Sequence, residues 1–303
     1  MDFHYLFELL CGGLVKGSIY ALIALGYTMV YGVLKLINFA HGDLFTIGAY
    51  LGLTLLTSLA LTDHVGGFLG IGLLALMVMG LVGVIGILLE RIAYRPLRES
   101  PRLSAVVSAL GASIFFQNAV MLVYGAKFYV YPQNLLPNIP VSVFGMPVPL
   151  MRILILVASV VMMICLYLFV QKTRIGTAIR AAAIDQGAAR LMGIDVNRVI
   201  MIVFCIGPAL GGVAGMMVGI YYGQINFTMG WIYGLKAFTA AILGGIGNIP
   251  GAMVGGLLLG VIEALGAAYI SMAWKDAIAF VVLILILIVR PTGLLGERVA
   301  EKI

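Results

Sequence analysis

The chain has 303 residues, 63% of them hydrophobic and only 10% charged, with a formal charge of +6. Together with a mean hydropathy of +1.15, this composition excludes a soluble globular domain. It also removes nucleic acid as the meaning of the positive charge, because the Lys and Arg residues cluster between apolar runs of about 20 residues, the length that crosses a bilayer as a helix.

In chain order, the expected crossings are Leu9 to Tyr31, Ile37 to Leu61, Gly66 to Leu89, Leu103 to Gly125, Leu150 to Val170 and Val199 to Tyr222. They are followed by the apolar segments Gly234 to Tyr269 and Ala277 to Leu295. This predicts an all-α polytopic membrane protein of about eight hydrophobic segments, with residues 1–303 forming a single transmembrane domain. No positive start precedes the first apolar run, so insertion is expected to use the first span itself. Cys11, Cys165 and Cys205 lie within apolar segments without CxxC spacing, so no disulfide framework and no metal site is expected.

The loop Glu90 to Arg102 holds Arg91, Arg95, Arg98 and Arg102, and the loop 171–198 holds Lys172, Arg174, Arg180, Arg190 and Arg198. Both are assigned to the cytoplasmic side. Between them, residues 126–149 carry only Lys127 and five prolines, which reads as an irregular outer loop. The tail with Arg290, Arg298 and Lys302 is then inside, and counting back places the N-terminus outside.

That count requires the segment 234–269 to enter the membrane and return. Its centre, "LGGIGNIPG" (Leu243 to Gly251), contains Gly244, Gly245 and Gly247, which weaken a helix, and Pro250, which removes a backbone donor. We expect a broken or re-entrant pair, Gly234 to Ile246 and Gly251 to Tyr269, whose freed backbone groups face protein or a water-filled path. Gly245, Gly247, Asn248 and Gly251 are therefore candidate path residues. The alternative is one long kinked span with Lys275 and Asp276 at an interface.

"INFAHGD" (Ile37 to Asp43) introduces Asn38, His41 and Asp43 into an apolar stretch, and "INFTMG" (Ile225 to Gly230) repeats four of its first six residues. Each copy follows a long span and a Tyr-Gly pair, as an internal repeat would require, inverted if the N-terminus is outside. Asn38 and Asn226 are expected to cap free backbone groups at these junctions. His41 and Asp43, two positions apart, do not face each other on a helix, and Asp43 is expected near the cytoplasmic start of one. Lys16, Lys236 and Glu263 are further intramembrane charges, with Lys35 and Lys236 placed to snorkel from span ends.

The loop "TRIGTAIRAAAIDQGAARLMGIDVNRV" (Thr173 to Val199) predicts a surface helix over Thr177 to Met192, ended by Gly193, with Asp195 capping the next span. Ile179, Ala183, Gln186 and Arg190 form one stripe, Arg180 and Asp185 lie elsewhere, and Leu191 adds apolar surface, a pattern suited to docking in a groove of another protein.

These segments, with "GSIYALIALGYTMVYG" (Gly17 to Gly32), "ERIAYRPLR" (Glu90 to Arg98) and "KAFTAAILGGIGNIPGAMVGG" (Lys236 to Gly256), resemble the LivH-type permeases of high-affinity branched-chain amino-acid ABC importers, over nearly the whole chain. The resemblance implies a bacterial inner-membrane importer. Two homologous permease subunits would pair, two cytoplasmic ATPases would attach beneath, and a periplasmic binding protein would deliver leucine, isoleucine or valine. It also implies that residues 178–193 form the ATPase-coupling segment, here reading "RAAAIDQGAARLMGI" without the Leu-Pro that follows in the familiar pattern.

The residues themselves fit that division of labour. No GxxxxGK[ST] loop is present, so ATP is assigned to partner subunits and no cofactor to this chain. His4, His41 and His64 are isolated, and no nucleophile with a base and an orienting group can be assembled, so no enzyme is read here. Two alternatives stay open: a stand-alone secondary transporter coupled through Lys16, His41, Asp43 or Glu263, and a permease for a related small amide such as urea.

Overall fold

The computed structural model describes residues 3–59, 67–98, 100–132, 140–143 and 145–296. The expected span ends Leu61 and Gly66, and the residues Asp2, His64, Pro137, Arg298 and Lys302, lie outside the described residues. The chain forms α1 (Phe3–Leu34), α2 (His41–Leu59), α3 (Gly67–Leu89), a π turn (Glu90–Tyr94) with a 3-10 turn (Arg95–Leu97), and α4 (Arg102–Tyr124). Two short strands of the segment that follows α4, β2 (Pro140–Val143) and β3 (Met146–Pro149), pair as a hairpin, while β1 (Tyr129–Val130) pairs with β4 (Gln224–Ile225). The remaining helices are α5 (Leu150–Lys172), α6 (Arg174–Ile184), α7 (Gln186–Leu191), α8 (Val196–Tyr222), α9 (Met229–Gly244), α10 (Ile249–Tyr269) and α11 (Lys275–Val289).

Seven of the described helices are long and apolar enough to cross a membrane, α1, α2, α3, α4, α5, α8 and α10. The chain is an all-α polytopic membrane protein. Several boundaries differ from expectation; α1, for example, begins at Phe3 and not at Leu9. Ile37 to Ala40 are not helical, and α2 starts at His41. The last apolar segment is helical only over 15 residues and ends at Val289, not Leu295. Beyond it the chain turns back, with Leu294 N–H donating to Leu243 O at 2.9 Å and Leu295 N–H to Gly244 O at 3.0 Å. Those carbonyls are freed where α9 stops, which is why the tail can bond to them and the helix does not continue.

The break lies within the segment read from the glycines. α9 ends at Gly244, Gly245 and Gly247 take φ of 106° and 97°, and α10 restarts at Ile249. Asn248 caps α10, its Oδ1 accepting from Gly251 N–H at 2.9 Å, while its Nδ2 donates to Leu295 O at 2.9 Å. Gly244 and Gly251 face each other so closely that a Cβ on either would strike the other's backbone. This lets α9 and α10 fold against one another instead of forming a single kinked span.

The two copies of the repeated motif meet. A Cβ on Gly42 would strike the Gly230 carbonyl, and a Cβ on Gly230 would strike the Gly42 carbonyl. Around this reciprocal contact the helices correspond in order: α1 packs along α10 as α8 packs along α3, and α2 packs on α8 as α9 packs on α1. Such reciprocity is the signature of two halves related by a pseudo-two-fold axis.

Small residues allow these crossings. Gly48 of α2 lies on Gly212 of α8, and Gly17 of α1 on Gly256 and Leu257 of α10. In α8, Pro208 cannot donate to the Phe204 carbonyl, and Gly86 of α3 packs directly over that oxygen.

Candidate functional site

Three groups of residues carry chemistry. The first surrounds the Gly42–Gly230 contact. The His41 ring packs against Gly26, well inside α1, and against Gly211 of α8, so α2 begins level with the interior of its neighbours and not at their ends. Irregular backbone at such depth requires cover by protein, and Asn38, Ala40 and His41 are buried accordingly.

The Asn38 amide oxygen accepts from the Tyr94 hydroxyl at 2.9 Å, and its main-chain carbonyl, not its side chain, receives the His41 N–H at 3.1 Å. Asn226 accepts from Thr228 Oγ1 at 3.2 Å. Neither side chain therefore makes the backbone cap that the sequence led us to expect. In each case a tyrosyl or threonyl hydroxyl holds the amide oxygen instead.

His41 faces the Ile23 carbonyl without a hydrogen bond of normal geometry at either ring nitrogen. Its ring meets Tyr27 edge-on, with centroids 4.8 Å apart. Asp43 does sit in the first turn of α2, but it is 4% exposed and its Oδ2 accepts from Ser113 Oγ of α4 at 2.5 Å. It is thus a buried carboxylate, not an interfacial one. His41 and Asp43 do not bond to each other.

The second group ties the returning helices together. Lys236 of α9 places Nζ 3.1 Å from Glu263 Oε2 of α10 and 2.6 Å from Asp276 Oδ1 of α11, and the Tyr20 hydroxyl of α1 donates to Glu263 Oε2 at 2.8 Å. Lys236 is 7% exposed, so it is not snorkelling from a span end. Sequence reasoning named Lys236 and Glu263 without pairing them. The available signal was two lone opposite charges on either side of one helix break.

The third group is the loop 171–198. It forms two helices, not one, because Asp185 takes extended geometry and caps α7, its Oδ1 accepting from Gly187 N–H at 2.8 Å and Ala188 N–H at 3.0 Å. Thr173 caps α6, and Asp195 caps α8. Gly193, with φ 82°, ends the pair.

Three members of the expected docking stripe, Ile179, Ala183 and Gln186, turn inward, while Arg190 is exposed. Ile179 is 5% exposed, Ala183 is half-buried, Arg180 Nη1 donates to the Val170 carbonyl, and Gln186 Nε2 donates to Val33 O at 2.7 Å. The surface left outward consists of Ile184 at 88%, Leu191 at 90% and Met192 at 82% exposure, flanked by Arg190. Ile184 and Met192 were absent from the sequence-based set. The Val170 carbonyl, ten residues back along the chain, holds α6 through Arg180, and the Val33 carbonyl, 153 residues away, holds the start of α7 through Gln186.

Between α6 and the helix break lies a cavity of about 260 Å³, lined by Arg180 and Ala183 on one side and by Gly247, Asn248 and Pro250 on the other. The helices α6 and α7, the break, the C-terminal end of α1 and the start of α8 thus share one end of the molecule. At the same end Arg98 binds the buried Glu90 and Asn197. The β1–β4 pair lies at the other.

A helical membrane domain with an inverted repeat, discontinuous helices meeting at its centre and an exposed helix pair at one end defines a transporter permease. The family model for the permease component of branched-chain amino acid transport systems matches residues 9–287, and the chain belongs to that family. It is 46% identical to the high-affinity branched-chain amino acid transport system permease protein BraD of Pseudomonas aeruginosa, over 99% of each chain. It is 44% identical to the corresponding LivH of Escherichia coli, over 100% of this chain and 99% of that one. A probable branched-chain amino acid permease of Methanocaldococcus jannaschii is 28% identical over 94% of this chain and 91% of that one.

Proposed function

We propose that this chain is the membrane-embedded permease subunit of a bacterial inner-membrane ABC importer that moves leucine, isoleucine and valine. A second, homologous permease completes the path, two cytoplasmic ATPases bind ATP and supply the energy, and a periplasmic protein delivers the amino acid. Its full-length similarity to permeases of that named activity supports the cargo class.

The observation that carries the mechanism is the exposed apolar tip of α6 and α7 (Ile184, Leu191, Met192) on a helix whose other face borders the break across the 260 Å³ cavity. A partner that grips the tip moves α6, and α6 presses on the segment holding Gly245, Gly247, Asn248 and Gly251. Alternating access then follows from rigid helices shifting about a break. Ion coupling through Glu263 has less support, since its carboxylate is already committed to Lys236 and Tyr20.

The test is the purified complex with Ile184→Asp and Leu191→Asp. ATP hydrolysis stimulated by loaded binding protein should fall to the unstimulated level, with the permease still folded. Full stimulation in the double variant would refute the assignment of this face.

A further inference from the structure

Asp43 is a buried carboxylate in the interior of a membrane domain, where a lone charge costs several kcal/mol. Its one hydrogen bond to another side chain comes from Ser113, and among the described residues no Lys, Arg or His forms an ion pair with it. Lys236, the other charge on the α9 side, is held by Glu263 and Asp276. A carboxylate offers about four acceptor positions, so most of its capacity is unused by side chains.

Asp43 also lines a cavity of about 20 Å³ beside the Gly42–Gly230 contact, walled by Tyr27, Phe39, Trp231 and Phe238. Trp231, one of its lining residues, is 51% exposed, so the cavity borders the surface of the chain. That volume holds one water, and an ammonium head is of the same size. A carboxylate backed by aromatic rings is the chemistry that recognises a cationic ammonium group, by charge-assisted hydrogen bonds and by attraction to the ring faces.

We propose that Asp43 receives the ammonium group of the transported amino acid, with Tyr27, Phe39, Trp231 and Phe238 around it and the aliphatic side chain remaining outside in the path shared with the second permease. The site lies beside the Gly42–Gly230 contact between the two halves, so that a shift of one half against the other reaches it. This assignment rests on the reading of the chain as an amino-acid permease. It adds a specificity that favours an amine over a carboxylate lacking one, because a built acceptor rejects a ligand that leaves it unpaired.

The test uses the assembled complex in liposomes and the diazirine amino acid photo-leucine. Labelling is expected on the peptides holding Ile37–Phe39 and Trp231–Phe238, and should be competed by 3-methylbutylamine but not by 4-methylpentanoate. Asp43→Asn should reduce it about tenfold to a hundredfold, while Asp43→Glu restores it. Unchanged labelling in an assembled Asp43→Asn complex, or equal competition by 4-methylpentanoate, would overturn the proposal. If Asp43→Asn fails to assemble, the competition pattern in the unaltered complex decides. Leucine uptake with labelling elsewhere would refute this site alone, whereas no leucine uptake by the unaltered complex would refute the permease reading beneath it.

Discussion

Replacing Lys236 by Met leaves Glu263, 2% exposed, with only the Tyr20 hydroxyl, and leaves Asp276 without its cation. Breaking a buried ion pair by removing one partner costs about 3–5 kcal/mol. Asp276 is 47% exposed and can rehydrate, so the lower figure applies. A loss of about 3 kcal/mol lowers the unfolding temperature of a chain this long by about 5 °C. Glu263→Gln alone should cost less, since Lys236 keeps Asp276 at 2.6 Å. The double variant Lys236→Met with Glu263→Gln should be more stable than Lys236→Met, because no carboxylate remains unpaired in the interior. Thermal unfolding in detergent measures all three. A Lys236→Met protein unfolding within about 1 °C of the original, or strictly additive effects in the double variant, would refute the network as a source of stability.

Other substitutions probe other parts of the fold. Gly48→Ala should destabilise by about 1–3 kcal/mol, because its Cβ would strike the Gly212 backbone, whereas Gly80→Ala, with open space around it, should be neutral in the same unfolding assay. Asn248→Ala should cost about 1 kcal/mol through loss of the α10 cap, read as faster amide exchange over residues 249–252 and in the tail bonded to Asn248. Ile179→Asp should lower stability, since it buries a charge beneath α6, while Ile184→Asp should leave the unfolding temperature unchanged.

Much of the fold is written locally in the sequence. Runs of apolar residues set the spans, and the glycines and Pro250 set the break, because each acts on its own stretch of backbone. The INF echo correctly marked two helix starts that meet. Depth was not legible: whether Asn38 to Asp43 lie at a surface or inside depends on Gly26, Gly211 and Tyr94, which no local pattern links to them. The same holds for α6. Its periodicity identified a stripe at Ile179 and Ala183, but periodicity does not say which side faces the protein, and that depends on the packing of the whole α6–α7 segment, in which Arg180 and Gln186 bond to the carbonyls of Val170 and Val33. The pairs Asp43–Ser113 and Lys236–Glu263 join elements brought together only by packing.

On the function proposed above, this chain conducts branched aliphatic amino acids only as part of an ATP-driven assembly. The direct measurement is uptake of radiolabelled leucine into liposomes holding the chain with its second permease and ATPases, supplied with binding protein outside and ATP inside. Uptake should require ATP and the binding protein and disappear when this chain is omitted. Uptake by this chain alone, driven by a proton or sodium gradient without ATP, would contradict it.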